Sequence, residues 1–546
     1  MGIPSYFSHV IRKYTKILRS CRYFIDNDKP FTHLYMDCNS IVYDSYHSIS
    51  DTYIVEKEDE FEEQIIREVA NRIENYISMI KPTDVIYISF DGVAPLAKMD
   101  QQRTRRYKTH FTSGIQYETT VESTKKWNTS SITPGTIFME KLSNYIYFYF
   151  KHKELQYNVK NIVVSCSDKP GEGEHKLYSH IRQNDMKKSN VAVYGLDADL
   201  IMLSIFHLKY CNNIYIFREA PEFLKNSIPI EIKNNKNEPY FLDIDNLSES
   251  IIYEMGCSDN NTNRIDDYVF MCFLLGNDFL PHFSAMNIRT HGISVLLDVY
   301  KKYIGCNTNR FFISPVTGKI QWKNVRLFIQ EISKMETELL KQEYFVRNKF
   351  DKRRFPENTT KDKEEVLLNS PVIYRFDEKY ISPDEPQWEK RYYKNLFSDN
   401  DINIKDICSN YLEGLEWVYK YYTGDCPHWK WKYNHHYPPL FVDLCKYIPH
   451  FDTDFVQNNN STPMASYTQL AYVLPKNNLY LLPKKIRGFL LDNYSELYPD
   501  KFLFKWAFCR YFWESHPILP EIPIELLERW NQQFILHSQY VSTQIL

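Results

Sequence analysis

Four short runs of β-branched and aromatic residues end in acids or run directly into them, and this constrains the fold more than any other feature. "THLYMD" stops at Asp37, "DVIYISFD" at Asp91 and "VAVYGLDAD" at Asp197 and Asp199, while "NIVVSCS" runs into the Gly-rich "DKPGEGEHK" that carries Glu172 and Glu174. Runs of this kind read as strands covered on both faces. Helical patterns at 62–80 and 136–149 fall between them. Alternation of strands with helices predicts an α/β fold, a mostly parallel central sheet flanked by helices.

Beyond the last of these strands an apolar helix, "DDYVFMCFLLGND", delivers a seventh acid, Asp278. Residues 108–131 and 224–240 are polar and are expected to be loops. The stretch 346–370 is dense in charge and contains Pro356, which reads as a solvated surface between two halves. From about residue 401 the chain turns aromatic again. The organisation expected is therefore an α/β core over 1–345, a charged linker or helical projection over 346–400, and a second, mostly helical and irregular region over 401–546 packed on the core.

In open α/β sheets, ligands sit beyond the carboxyl ends of the strands. Taken singly, an acid at a strand end is as readily a helix cap or turn former. Seven together are another matter. Asp37, Asp91, Glu172, Glu174, Asp197, Asp199 and Asp278 gathered in one pocket would repel one another unless cations sat among them. Oxygen-only ligands suit two Mg²⁺ ions, or Mn²⁺ in their place. Such a pair serves the in-line displacement of a phosphoryl group, which is hydrolytic nuclease chemistry.

Directly behind Asp91 comes "PLAKMDQQRTRR". With a helix starting near Pro95, Lys98, Gln102, Arg105 and Arg106 share a stripe within ~100° of arc, and Arg103 points away. One ammonium, one amide and two guanidinium forks can hold a terminal phosphate by charge-assisted bonds. A basic helix could equally meet a duplex backbone.

The rest of the composition excludes more than it names. Lys+Arg (66) and Asp+Glu (69) almost cancel, so a nucleic acid must be met by a local patch rather than by the field of the whole molecule. The 11 cysteines contain no CxxC and are odd in number, which argues against a zinc ribbon or a secreted disulfide frame and for a reducing compartment. No apolar run approaches the ~20 residues that span a bilayer. An intracellular protein without a membrane partner is the expectation.

The blocks "MGIPSYF", "LYMDCNSIVY", "FDGVAPLAKMDQQRTRR", "SITPGTIFMEKL", "KPGEGEHK", "YGLDADLIML" and "GNDFLPH", with the later "EGLEWVYKYYTGDCPHWKWKYNHHYPP", "QLAYVLP" and "WESHPILPEIPIELL", extend over nearly the whole chain. In order and content they resemble the motifs of the XRN family of 5′→3′ exoribonucleases. The resemblance implies a nuclease core of PIN/FEN type over 1–345 and a second shared region over 401–546 that closes the active site. It implies two Mg²⁺ ions on the seven acids and a 5′-phosphate pocket from Lys98, Gln102, Arg105 and Arg106. The substrate implied is single-stranded RNA with a 5′-monophosphate, degraded to nucleoside 5′-monophosphates by a cytoplasmic monomer in RNA decay. Capped or triphosphorylated ends would be refused.

Departures from the family's pattern carry their own expectations. Tyr43 stands where the family has a base-stacking His, so an aromatic face is kept and a protonatable ring is lost. Leu96 replaces a customary Arg beside the pocket. The second stacking ring is expected from Trp429 or Trp431. The long C-terminal domains of cytoplasmic relatives have no counterpart here, and the short 346–400 segment stands in for a longer projection. Two alternatives are a flap-type structure-specific endonuclease, which would release oligonucleotides, and a non-catalytic binder of RNA 5′ ends, whose mark would be a missing acid.

Overall fold

The computed structural model describes the chain apart from residues 1, 2, 4, 120–125, 196, 220–238, 260, 398–401, 458–460 and 545–546. Its centre is a seven-stranded sheet in the order β1-β7-β6-β5-β2-β3-β4. The strands are β1 (Leu18–Arg19), β2 (His33–Asp37), β3 (Val85–Ser89), β4 (Asn161–Ser165), β5 (Met186–Tyr194), β6 (Cys211–Arg218) and β7 (Tyr240–Asp243). β4, β3, β2, β5 and β6 run parallel. β7 and β1 close one edge antiparallel, so the N-terminal segment covers an otherwise open strand.

Alternation along the strands builds two cores. Tyr35, Tyr87, Val191, Val193 and Ile216 face one of them. Leu34, Met36, Ile86, Ile88, Ala192 and Tyr194 face the other. The second is roofed by the helix Glu58–Ile80, whose Phe61, Ile65, Val69, Ile73, Ile77 and Ile80 recur at three- or four-residue spacing and are buried. Acids fill its first turn, and Lys81 ends it in the left-handed region at φ 51°. The helix Ile137–Phe150 starts on Thr136, whose hydroxyl accepts from the Met139 N–H.

The first core does not stop at residue 345. It continues through Tyr392, Tyr393, Tyr411, Trp417, Tyr421 and Phe441 to Phe508. Within 346–400, residues 353–354 and 357–361 are exposed, but Val372, Ile381, Trp388 and Leu396 are buried on short helices. A third core packs Val93, Leu96 and Met99 against Leu470, Tyr472, Leu474 and Trp530. The final part of the chain thus grips the start of the helix Leu96–Thr119.

That helix corrects one expectation. Residues 108–119, expected to be loop, continue it; 120–125 and 224–238 lie outside the described residues. Tyr107 and Phe111, one turn apart, pack on Phe502, Phe504 and Phe512, with ring centroids 4.8–5.7 Å apart for Tyr107–Phe502, Phe111–Phe504 and Phe111–Phe512. The apolar contact that holds the helix comes from nearly 400 residues downstream. No helix among the described residues is long and apolar enough to cross a membrane.

Candidate active site

Chain order reverses at β2, with β3 and β4 to one side and β5 and β6 to the other. A crevice is expected at such a switch point, outside the carboxyl ends of the strands. Asp37 is the last residue of β2, and Asp91, Glu172/Glu174 and Asp197/Asp199 follow β3, β4 and β5.

Two loops are laced together by backbone before any side chain is considered. The Gly92 N–H donates to Gly171 O at 2.9 Å and the Gly171 N–H to Val93 O at 2.8 Å. A Cβ on Gly92 would sit 1.8 Å from Lys169 O, so the approach demands glycine. This brings Gly173 under the acids. Its N–H donates to Asp91 Oδ1 at 2.6 Å, and a Cβ there would meet Asp37 Oδ1 at 2.6 Å. Asn39 adds a brace, its Oδ1 accepting from the Asp91 N–H at 3.2 Å.

Lys98 occupies the middle. Its Nζ lies 2.6 Å from Glu172 Oε2 and 2.9 Å from Asp278 Oδ2. Tyr421 donates to Glu172 Oε1 at 2.9 Å, and the Tyr422 hydroxyl bonds Asp199. Asp278 is presented by a turn in which Asn277 Oδ1 accepts the N–H groups of Phe279 and Leu280.

The electrostatics describe one site with seven acids. Burial first, then the Asp91 and Asp197 charges, push the Asp37 carboxyl up to about 8. Burial, Asp278 and Asp197 push Asp199 up to about 7. Glu174 is raised well above the carboxylate range by burial, with Asp199, Glu172 and Asp197 adding to it against Lys98. Glu172 is raised by burial, though Lys98 opposes it. Asp278 goes the other way: burial favours its proton, but positive charge and hydrogen bonds, led by the Lys98 ammonium, together hold the carboxyl below its usual range. Lys98 is held above its usual value, burial being outweighed by Asp278, Glu172, Glu174 and Asp197.

Among the described residues, no three His, Cys, Asp or Glu side chains stand together as a finished metal cage. The donor set still suits hard divalent cations. Every candidate ligand is a carboxylate, the cluster carries more negative charge than one ammonium balances, and Glu174 Oε2 and Asp199 Oδ1 are buried with no hydrogen-bond partner.

The rest of the basic stripe is distributed unevenly. Gln102 is buried, its Oε1 accepting from Gln469 Nε2 at 3.4 Å. Arg106 donates one terminal nitrogen to Thr133 Oγ1 at 2.6 Å, while its buried Nε has no partner. Burial pulls its guanidinium down to about 10, with the neighbouring Tyr43 hydroxyl opposing and Arg105 assisting. Arg105 is exposed. Arg103 points away and donates to Pro520 O and Leu497 O.

Of the two tryptophans, Trp431 stacks on Trp417 at 5.1 Å and donates to Glu413, a packing position. Trp429 is half-buried, and its carbonyl accepts the Leu96 N–H at 2.8 Å at the start of the basic helix. Tyr43 is half-buried beside Arg106. Sequence reasoning did not single out Asn39, Thr133, Tyr421 or Tyr422. Thr133 lies inside the quoted "SITPGT" block, but paired tyrosines in an aromatic helix look like core.

Known proteins resemble the chain along nearly its whole length. A family profile described as "XRN 5′-3′ exonuclease N-terminus" matches residues 1–220, and one described as "Xrn1 helical domain" matches 259–380 and 381–531. The Schizosaccharomyces pombe protein "5′-3′ exoribonuclease 1" is 27% identical over 96% of this chain and 48% of its own length. The Gallus gallus protein "5′-3′ exoribonuclease 2" is 27% identical over 95% of this chain and 68% of its own. The chain thus spans about half the length of the first of these relatives. A solved structure, the catalytic core of Rad2 with a DNA substrate, overlaps 62% of this chain and 78% of its own at 13% identity, with a TM-score of 0.31, too small a likeness to bear on the fold.

Proposed function

The chain belongs to the XRN 5′-3′ exonuclease family, and from that premise we propose that it is a divalent-metal-dependent 5′→3′ exoribonuclease. It consumes single-stranded RNA bearing a 5′-monophosphate and releases nucleoside 5′-monophosphates. The observation that carries this reading is the bridging of Glu172 and Asp278 by Lys98 within a group of seven mutually interacting carboxylates, Lys98 standing on the same helix as the buried, partnerless Arg106 Nε.

Asp37, Asp91, Glu172, Glu174, Asp197, Asp199 and Asp278 would hold two Mg²⁺ ions, with Mn²⁺ an acceptable substitute. Bound there, such ions would supply positive charge for an in-line displacement at phosphorus and would activate the attacking water. The chain's own residues do the remaining work. Gly173 donates its N–H to Asp91 and leaves room for Asp37, which fixes two carboxylates of adjacent strands side by side. Tyr421 and Tyr422 orient Glu172 and Asp199.

Lys98, Gln102, Arg105 and Arg106 bind the terminal phosphate. A buried guanidinium whose Nε has no acceptor suits a doubly charged anion, and with its pKa near 10 it stays charged at neutral pH. Tyr43 beside it and Trp429 near the helix start give the first bases faces to stack on, worth about 1–3 kcal/mol each. 5′-Triphosphates and caps are expected to be refused, as the family resemblance implies.

The test compares one RNA with 5′-monophosphate, 5′-hydroxyl and 5′-triphosphate ends, with Mg²⁺ and with chelator. Only the first, with metal, is expected to be consumed, and its labelled products are mononucleotides. Oligonucleotide release from a flap substrate, or equal use of 5′-hydroxyl ends, would overturn the assignment.

A further inference from the structure

The block "KPGEGEHK" closes on Lys176, a residue to which the function above gives no part. Lys176 lies on the helix Gly173–Gln183, which is capped by Glu172 and carries Glu174 in its first turn. Its ammonium donates to Phe90 O and to Cys166 O, each at 2.9 Å.

Those two carbonyls stand at a particular place in the sheet. The β3–β4 register ends on Ser89 opposite Ser165, and the Phe90 N–H still reaches Ser165 O at 3.0 Å. Phe90 O and Cys166 O are the first carbonyls beyond that ladder, and both residues are buried. A buried carbonyl past the end of a strand has lost its sheet partner and is costly unless another donor meets it. An ammonium has three rotatable N–H donors on a flexible stem, so it can meet two such carbonyls at once. Cys166 O also accepts the Lys169 N–H at 3.2 Å, which leaves Phe90 as the residue that leans most on Lys176.

The residue after Phe90 is Asp91. Asn39 holds its N–H and Gly173 its Oδ1, and Ser89 Oγ donates to Gly173 O at 3.1 Å. Lys176 adds a restraint on the peptide that joins Phe90 to Asp91. One side chain thereby ties the strand end that delivers Asp91 to the helix that delivers Glu174, with the backbone after β4 as the third point of attachment.

We propose that Lys176 is a positioning residue for the divalent-metal site: by capping the ends of β3 and β4 it fixes Asp91 relative to Glu172 and Glu174, and it touches neither metal nor RNA. The proposal rests on the metal reading of the seven acids. Mg²⁺ demands near-octahedral oxygen ligands at about 2.0–2.1 Å, so slack in one strand end falls first on metal affinity.

The test is titration of the full chain with Mn²⁺, without RNA, followed by the electron paramagnetic resonance of the free ion. Lys176→Met keeps the stem and removes the donors, and its Mn²⁺ dissociation constant should rise about tenfold or more. With Mg²⁺ and 5′-monophosphate RNA its kcat should fall by a similar factor while KM stays within about threefold of the parent's. Lys176→Arg restores charge and donors and should regain most of the Mn²⁺ affinity. A purely structural role would lower the folded fraction, and with it the ions bound per chain, but leave the dissociation constant as it was. Lys176→Gln, with N–H donors on a shorter stem, serves if Lys176→Met does not fold, and there the constant should rise about threefold or more. Mn²⁺ held by the folded variant as tightly as by the parent, or Lys176→Arg binding no better than Lys176→Met, overturns the proposal. Failure of the metal reading looks different, since the parent chain itself would then bind no Mn²⁺.

Discussion

The Lys98 ammonium lies 2.9 Å from the Asp278 carboxylate, joining positions 180 residues apart at the centre of the acidic cluster. The same ammonium holds Glu172, and the three side chains are 12% exposed or less. Lys98→Met keeps the apolar stem and strips two buried acids of their counter-charge. A loss of about 3 kcal/mol is expected in chelator, read from urea unfolding. Saturating Mg²⁺ should recover part of it, because the ion offers the same carboxylates another positive neighbour. Equal stability of the two chains in chelator would show that the pairing does not organise the site.

Gly173→Ala addresses spacing instead of charge. Its methyl would fall 2.6 Å from Asp37 Oδ1, so the carboxylate must move. A displacement of that order costs about 100-fold in turnover. Stability should fall by no more than about 1–2 kcal/mol. Turnover within about threefold of the parent chain would mean that Asp37 is not needed where it stands.

Far from the acids, Arg347, Glu378 and Arg375 form a charged cluster whose side chains are 5% exposed or less. Arg347 also reaches the carbonyls of Pro371, Phe508 and Cys509. Arg347→Met is expected to cost about 3–5 kcal/mol, because Glu378 loses one of its two guanidinium partners. RNA turnover per folded molecule should be unchanged, which separates a fastener from a catalytic part.

Glu336 gives a pH dependence. Burial pushes its carboxyl up to about 8, although the Phe441 and Val442 N–H groups oppose this. The folded chain therefore keeps this proton longer than the unfolded chain does. Its stabilisation is complete below the unfolded value near 4.5 and is lost as pH rises to about 8, at up to about 1.4 kcal/mol per pH unit. Glu336→Gln stays neutral throughout and should flatten that slope. Urea midpoints measured from pH 5 to 8 decide it, and parallel slopes in the two chains would refute it.

What could be read in advance follows physical lines. The parallel sheet and its strand-end acids were legible, since a strand covered on both faces leaves an unbroken apolar run and the acid closing it stands out. The start of the basic helix near Pro95 was legible for a similar reason, proline marking the first turn. Its continuation through 108–119 was not, because Tyr107 and Phe111 find their partners at Phe502, Phe504 and Phe512. Tyr421 escaped notice likewise. Its hydroxyl serves Glu172 from 249 residues away, and a tyrosine in an aromatic helix carries no local sign of such a task. Trp429 and Trp431 could not be told apart until Trp417 was seen to claim the second.

The bond from the Leu96 N–H to the Trp429 carbonyl has one further implication. It is made of peptide groups alone, so it is indifferent to which side chains the two positions carry. Lineages could exchange the half-buried indole at position 429, and the seam between the early and late segments would still hold. Divergence at this boundary can alter what the cleft grips while leaving its frame in place.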